Sequence, residues 1–155
     1  MNCTKNRYGS LRSMAYIFIF LVGFLTIANA NEGYSLKVVV KNLRNSKGVV
    51  QFTLYNKNGT IPDEHFKKYY KKMIGEIKGN SCEVVFKNLP KGRYAVNILH
   101  DENKNGKIDK GFLLPNEGIG FSNYKSIGLT NKPNFKKASF MLDANRICSI
   151  KVIYF

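Results

Sequence analysis

The sequence predicts an all-β protein built as an antiparallel β-sandwich of about seven strands. Short runs of residues alternate apolar and polar side chains, turn-forming residues separate the runs, and no long segment has a convincing helical period. A chain of many short strands buries their apolar sides by packing two sheets face to face. The sequence contains no tryptophan, which excludes the Cys-Trp-Cys pattern of antibody domains.

Residues 1–30 have the pattern of a cleaved signal peptide. Lys5, Arg7 and Arg12 form a basic start, residues 15–27 are apolar, and Ala28-Asn29-Ala30 matches an A-x-A cleavage site. An uncleaved anchor is the alternative, although the apolar run is shorter than the roughly 20 residues of a membrane span. We therefore expect a single domain at residues 31–155, located in the periplasm or secreted, with no transmembrane segment after cleavage.

The first strands follow this leader. Residues 34–41 place Leu36, Val38 and Val40 on one face, and a second alternating run follows Gly48, so the two runs predict a hairpin. The region 56–80 is less regular. Residues 61–64 have Pro and acidic residues as at a helix start, and we predict a strand over residues 70–77.

The alternation is clearer in the second half of the chain. Residues 82–86 and 94–100 predict strands separated by a turn at residues 88–92. Residues 112–124 are rich in glycine and favour a loop. Residues 138–142 and 147–154 predict the last two strands.

The charge is strongly basic. The full chain has a formal net charge of +15, and loss of the three basic leader residues leaves 22 Lys and Arg against 10 Asp and Glu, a net of +12. No nucleic-acid motif accompanies this charge, so we expect no nucleic-acid partner. Attraction to an anionic cell envelope is one interpretation, and solvated lysine faces are the other.

Two cysteines remain after the leader, Cys82 and Cys148. In an oxidising compartment they are candidates for a disulfide, and two unpaired buried thiols are the alternative. The chain has no C-x-x-C motif or Cys/His cluster, which disfavours redox catalysis and zinc binding.

Residues 101–109 read D-E-N-K-N-G-K-I-D and directly follow a predicted strand. Oxygen-bearing side chains alternate along the segment, Gly106 allows a sharp turn, and calcium prefers six to eight oxygen ligands. This loop is therefore a candidate calcium site that needs a further carboxylate, from Glu117 or Glu102. The candidate ligands are Asp101, Asn103, Asn105, Asp109 and Glu117 with the carbonyl of Lys107.

The loop departs from an EF-hand. Phe112 stands where a bidentate glutamate is required, and no flanking helices are evident. Few carboxylates and two lysines predict weak affinity, about 10⁻⁴–10⁻³ M as in extracellular modules. A turn without metal is the alternative, because Asn and Asp favour turns and Asn105-Gly106 is a hairpin signal.

Signals for catalysis are few. The only histidines are His65 and His100, and motifs such as G-x-S-x-G, H-E-x-x-H and phosphate-binding glycine loops are absent. We expect a non-catalytic protein, and a hydrolase that uses the acidic loop with His100 is the alternative.

Aromatic residues suggest a binding role. Exposed rings in loops can stack on sugars or peptides, whereas buried rings close the ends of a sandwich. The rings in or near predicted loops are Tyr69, Tyr70, Phe121, Tyr124 and Phe135.

Three motifs between residues 89 and 123 carry a family resemblance. They are L-P-x-G-x-Y, H-D-E-N-x-N-G-x-I-D and L-P-N-E-G-I-G-F-S-N. Together they resemble the domain of unknown function 2141 family, whose members are small exported bacterial proteins. The likeness covers nearly all of the mature chain, including the strand at residues 138–142.

The resemblance implies an immunoglobulin- or transthyretin-like sandwich in the cell envelope or outside the cell, and it implies no activity. This chain departs from the family pattern at Asn116, where lysine is common, and at Ile119, where an aromatic is common. L-P-x-G-x-Y also resembles small prealbumin-like adhesin and scaffold domains, which favours a binding or structural role with a protein or glycan of the envelope. The matching characteristic residues are His100, Asp101, Asn103, Asn105, Gly106, Asp109, Pro115, Glu117, Gly118, Gly120, Phe121, Ser122 and Asn123.

Overall fold

Eight strands form two sheets in the computed structural model, which describes residues 33–111 and 114–155. The predicted leader lies outside the described residues, so its cleavage stays a prediction. The strands are β1 (Tyr34–Lys41), β2 (Val49–Tyr55), β3 (Lys71–Gly75), β4 (Cys82–Leu89), β5 (Gly92–Asp101), β6 (Gly118–Phe121), β7 (Phe140–Leu142) and β8 (Arg146–Lys151), with one short helix, α1 (Phe135–Ala138).

The smaller sheet has three strands in the order β4-β1-β8. β1 is antiparallel to β4, which agrees with an antiparallel sandwich, but it is parallel to β8. The prediction of a wholly antiparallel sandwich is therefore wrong at this pair. The chain reaches β8 from the opposite sheet, so no hairpin turn dictates the direction in which β8 runs.

The larger sheet has five strands. Its main order is β3-β2-β5-β6, and β7 also pairs with β5. β2 and β5 occupy its centre, and nearly all residues of both strands are buried.

The main core lies between the two sheets. Alternate residues of the strands supply it, because successive side chains of a strand point to opposite faces. Leu36, Val38 and Val40 of β1 are completely buried there, as the alternation predicted. The all-β class and the two-sheet architecture are thus confirmed, and the immunoglobulin- or transthyretin-like topology stays an expectation.

A second apolar cluster covers the outer face of the larger sheet. Leu99 of β5 and Ile119 of β6 contribute from the sheet. Ile61, Phe66 and Tyr124 lie over them from the connecting segments. Because this layer is built from segments without regular periodicity, the sequence pattern did not reveal it.

The predicted hairpin of the first two strands is wrong. β1 pairs with β4 and β8, whereas β2 pairs with β3 and β5. The segment 42–48 carries the chain from one sheet to the other. Alternation shows that a run is a strand, but it does not show which strand is its partner.

Three other predictions changed in detail. No helix forms at residues 61–64, where the φ of +50° at Phe66 interrupts any helical path. The region predicted as a glycine-rich loop contains β6. The predicted strand at residues 138–142 begins only at Phe140, because Asn134 caps α1 by accepting a hydrogen bond from Lys137 N. The strand predicted over residues 70–77 is confirmed as β3.

Cys82 and Cys148 are free thiols, so the candidate disulfide does not form. Cys82 lies opposite Val40 and Cys148 lies opposite Val38, on the two strands that flank β1. Two strand spacings separate them by roughly 9–10 Å. A disulfide requires Cα atoms within about 7 Å, so the intervening strand excludes the bond.

Residues Gly33–Phe155 form one compact unit. Within the described residues, no helix combines the length and apolar character needed to span a membrane.

Candidate functional site

The 101–109 loop and Glu117 meet at one end of the larger sheet. β5 and β6 are antiparallel, with His100 opposite Gly118. This register places Asp101 beside Glu117, on the face of the sheet opposite to His100. The predicted approach of Glu117 to the loop is therefore a result of strand pairing.

Asp101 organises the start of the loop. Its carboxylate accepts hydrogen bonds from Asn105 N at 3.0 Å and from Gly106 N at 2.7 Å, and the residue is only 1% exposed. Gly106 has a φ of +72°, a region that glycine adopts without steric cost. An aspartate that accepts from backbone four and five residues ahead closes the loop into a tight turn.

The two asparagines connect the loop to Asp109. Asn103 Nδ2 donates to Asp109 Oδ2 at 2.6 Å, and Asn105 Nδ2 donates to both carboxylate oxygens at 3.0 and 2.9 Å. Their amide oxygens accept from backbone N–H groups of Asn105 and Lys107. The loop thus holds its shape through its own side chains.

Glu117 joins the two ends of the loop. One carboxylate oxygen accepts from Glu102 N at 3.0 Å, and the other accepts from Asp109 N at 3.3 Å. Glu117 is 5% exposed. Burial raises the pKa of this carboxyl, and the negative charges of Asp101 and Asp109 raise it further, although the two backbone hydrogen bonds oppose the change.

Glu102 has a different environment. The Arg44 guanidinium lies 2.6 Å from its Oε1, and Asn45 Nδ2 donates to its Oε2 at 3.0 Å. Burial alone would raise the pKa of Glu102, but these two partners lower it overall. By contrast, Asp101, Asp109 and Glu117 have no ion pair with any Lys, Arg or His of the described chain.

The segment between β1 and β2 supplies residues that sequence reasoning missed. Arg44 also donates to the carbonyl of Asn116 at 2.9 Å and lies over the ring of Tyr154, 4.8 Å from its centroid. It therefore connects three segments that are distant in the chain. A single arginine in a polar turn has no local pattern that could have revealed this role.

His100 belongs to the opposite face of β5. Its Nδ1 lies 2.8 Å from the Tyr154 hydroxyl, and its Nε2 lies 3.0 Å from the carbonyl of Lys47. Since a carbonyl can only accept, Nε2 donates, and in the neutral ring Nδ1 accepts from the hydroxyl. His100 is completely buried. Both nitrogens are engaged, and the ring does not face Asp101.

The metal-ligand set predicted from the sequence is only partly assembled. Within residues 33–111 and 114–155, no three His, Cys, Asp or Glu side chains are grouped closely enough to hold a metal ion. The structure brings Asp101, Asn103, Asn105, Asp109 and Glu117 into one hydrogen-bonded cluster. Lys107 adjoins this cluster through its N–H, which donates to Asn105 Oδ1 at 2.8 Å. A cation would need the asparagine amides to present oxygen instead of N–H to the carboxylates.

The candidate aromatic residues divide into two groups. Phe121, Tyr124 and Phe135 are buried in the outer apolar cluster, whereas Tyr69 and Tyr70 are each 40% exposed. Only the latter two present accessible ring surface.

Comparison with known proteins identifies one family. The model of the family described as "Uncharacterized protein conserved in bacteria (DUF2141)" matches residues 38–149, which include the loop, Glu117 and most of both sheets. Searches of curated proteins and of solved structures found no match.

Proposed function

Since this chain belongs to the uncharacterised bacterial family DUF2141, we propose from the geometry of its loops that it is an exported, non-catalytic β-sandwich that binds calcium and acts in binding or structure in the cell envelope. The single observation that supports calcium is the hydrogen-bonded network that ties Asp101, Asp109 and Glu117 to one loop, although in this structure the three are not close enough to hold a metal ion. The charges of Asp101 and Asp109 act on Glu117, and none of the three acids has an ion pair in the described chain, although the whole sequence carries a net charge of +15.

The asparagine amides provide the means of binding. In the structure, Asn103 and Asn105 direct N–H groups at Asp109, which partly neutralises its charge. Rotation of each amide would present its oxygen instead, and amide oxygens and carboxylates are ligands that calcium prefers. The ion would replace these hydrogen bonds and remove the repulsion among the acids.

The geometry also supports a non-catalytic role. A hydrolase that uses the acidic loop with His100 requires an acid of the loop to act with the imidazole. Glu102 Oε1 lies 3.8 Å from His100 Nδ1, but its carboxylate is already paired with Arg44. Asp101 lies on the face of β5 opposite to His100, and His100 is completely buried with both nitrogens engaged.

The envelope assignment is supported by the leader pattern and the basic surface. Lysines on an exported protein attract anionic envelope polymers over about a Debye length. A protein or glycan of the envelope is the proposed partner.

Calcium titration followed by thermal unfolding tests the proposal. For an affinity of about 10⁻⁴–10⁻³ M, 10 mM calcium adds roughly 1.4–2.7 kcal/mol to the free energy of unfolding. This corresponds to a rise in Tm of several degrees for a domain of this size. An unchanged Tm at 10 mM calcium would falsify the calcium site.

Two variants separate ion binding from loop stability. Replacement of Asp101 and Asp109 together by Asn lowers basal stability, because Asp101 holds the turn, so the calcium-dependent shift is the decisive readout. We expect this shift to disappear in the double variant and to persist in Asp143→Asn, which changes an exposed acid outside the loop. A stable double variant that lost a catalytic activity of the wild type would instead favour the hydrolase.

A further inference from the structure

A group of unpaired polar atoms is buried on the outer face of the larger sheet. Among the described residues, the buried side-chain atoms without a hydrogen-bond partner are both amide atoms of Gln51, the Thr53 hydroxyl and Asn97 Oδ1. Thr53 lies directly opposite Asn97, and Gln51 follows two residues away on the same face of β2. A buried polar atom without a partner destabilises the folded state. The concentration of such atoms in one place therefore calls for a functional explanation.

A cavity of about 180 Å³ lies over this face. Asn97, which is only 2% exposed, contributes an uncharged polar side chain to its lining. The apolar part includes Ile108, Ile119, Phe121 and Ile127. An unpaired amide thus lines a largely apolar space between the sheet and the connecting segments.

The charged residues of the lining already have hydrogen-bond or ion-pair partners. Glu64 and Lys110 form an ion pair at 2.6 Å with both side chains about half exposed to solvent. The Asp63 carboxylate accepts hydrogen bonds from Lys67 N and Lys68 N. An anionic ligand would find no free cation in the lining, the Asp63 oxygens are already engaged, and most of the lining is apolar, so the site favours a neutral molecule.

The volume limits the size of the ligand. A cavity of about 150 Å³ lined by Leu, Ile and Phe holds one benzene molecule. The present cavity therefore accommodates one ring with a small substituent. The Asn97 amide can both donate and accept a hydrogen bond, so the substituent should be one that pairs with an amide, as a hydroxyl does.

We propose that this cavity is a binding site for a neutral, single-ring alcohol or phenol, with the Asn97 amide hydrogen-bonding the hydroxyl and the isoleucine and phenylalanine side chains packing against the ring. The site is separate from the proposed calcium site and does not depend on it. Ile108 lies in the 101–109 loop and also lines the cavity, so the two sites share one segment.

Titration of the full chain with phenol in calcium-free buffer, followed by ¹H–¹⁵N NMR, tests the proposal. We expect saturable shifts at residues 97, 119 and 121 and at the Asn97 side-chain amide. Toluene has the same ring without a donor, so it should bind roughly three- to tenfold more weakly, the difference that one net hydrogen bond makes.

Asn97→Leu should remove the preference for phenol over toluene, while Ile127→Trp should fill the cavity and prevent binding of both. Thr53→Val serves as a second polar-to-apolar variant, which should retain phenol binding because Asn97 remains. The proposal is overturned if phenol produces no saturable shift at the lining residues. That result would mean that only ordered water lies beside the polar atoms. Equal binding of phenol and toluene by the wild type would overturn the role of Asn97.

Discussion

The Glu117 carboxylate accepts a hydrogen bond from the backbone N–H of Glu102 at 3.0 Å, across a separation of 15 residues in the chain. Its other oxygen accepts from Asp109 N, so one side chain fixes both ends of the loop. The same position brings its charge close to two other carboxylates. Glu117 therefore holds the loop through hydrogen bonds and also creates the repulsion that a cation would relieve.

The pH dependence of stability should change in Glu117→Gln. The folded pKa of Glu117 lies above its usual value of 4.5, first because of burial and then because of neighbouring acids. As the pH rises from 4.5 through the raised pKa, the folded state retains the proton longer than the unfolded state. The free energy of unfolding of the wild type should therefore fall across this interval relative to the variant.

Urea unfolding between pH 4.5 and 8 measures this difference, with Glu76→Gln at an exposed position as the matched control. A constant gap in stability between the wild type and Glu117→Gln at every pH would contradict the prediction. A lower overall stability of the variant would not, because glutamine retains only one acceptor for two N–H groups.

Tyr154→Phe should destabilise the protein by about 1–3 kcal/mol, because it leaves the Nδ1 of a buried histidine without a partner. The hydroxyl binds His100 at 2.8 Å and also accepts from Arg44 N at 3.1 Å. Urea unfolding checks this value against Tyr69→Phe, which removes a hydroxyl from a ring that is 40% exposed. Equal stability of the two variants would show that the His100 contact contributes nothing.

Gly118→Ala should cost about 1–3 kcal/mol through overpacking. A Cβ atom at this position would lie 2.4 Å from the Tyr154 ring and 2.6 Å from Val152 Cγ1. Gly128→Ala is the control, because a Cβ there would meet no atom within 4 Å. Thermal unfolding of both variants gives the comparison, and a Gly118→Ala protein as stable as the control would exclude the close packing.

Both cysteines of the domain should be free thiols. In a Cys3→Ser background, alkylation in denaturant without reductant should add two adducts by mass spectrometry. Native Cys82 should react slowly at neutral pH, because burial raises its pKa to about 11 and the thiolate is the nucleophile. Two adducts that appear only after reduction would demonstrate the disulfide that the arrangement of strands excludes.

Local patterns in the sequence predicted most of the elements but few of their partners. Alternation located β1, β2, β4 and β5, because burial of one face imposes a period of two on any strand. It failed at β6, whose glycines resemble those of a loop. Gly118 and Gly120 are required there by the close approach of Tyr154 and of the Lys151 carbonyl, which are distant in sequence.

In the candidate site too, local sequence patterns predicted the residues that are close in the chain and missed those that are distant. The spacing of Asp101, Asn103, Asn105 and Asp109 identified a loop whose side chains interact, because all four lie within nine residues. The contributions of Arg44 and Tyr154 had no local signal. The unpaired Asn97 also went unnoticed, since an asparagine in a strand does not reveal which segments cover it.

The sequence by itself determined the all-β class, the positions of most strands and the loop that carries the acids, because these depend on periodicity and on contacts between near neighbours. Only the tertiary structure decided that β8 runs parallel to β1, that the two cysteines lie apart, that Glu117 closes the loop and that Asn97 lines a cavity. Each of these depends on which distant segments pack together, and that choice is made by burial of the whole chain.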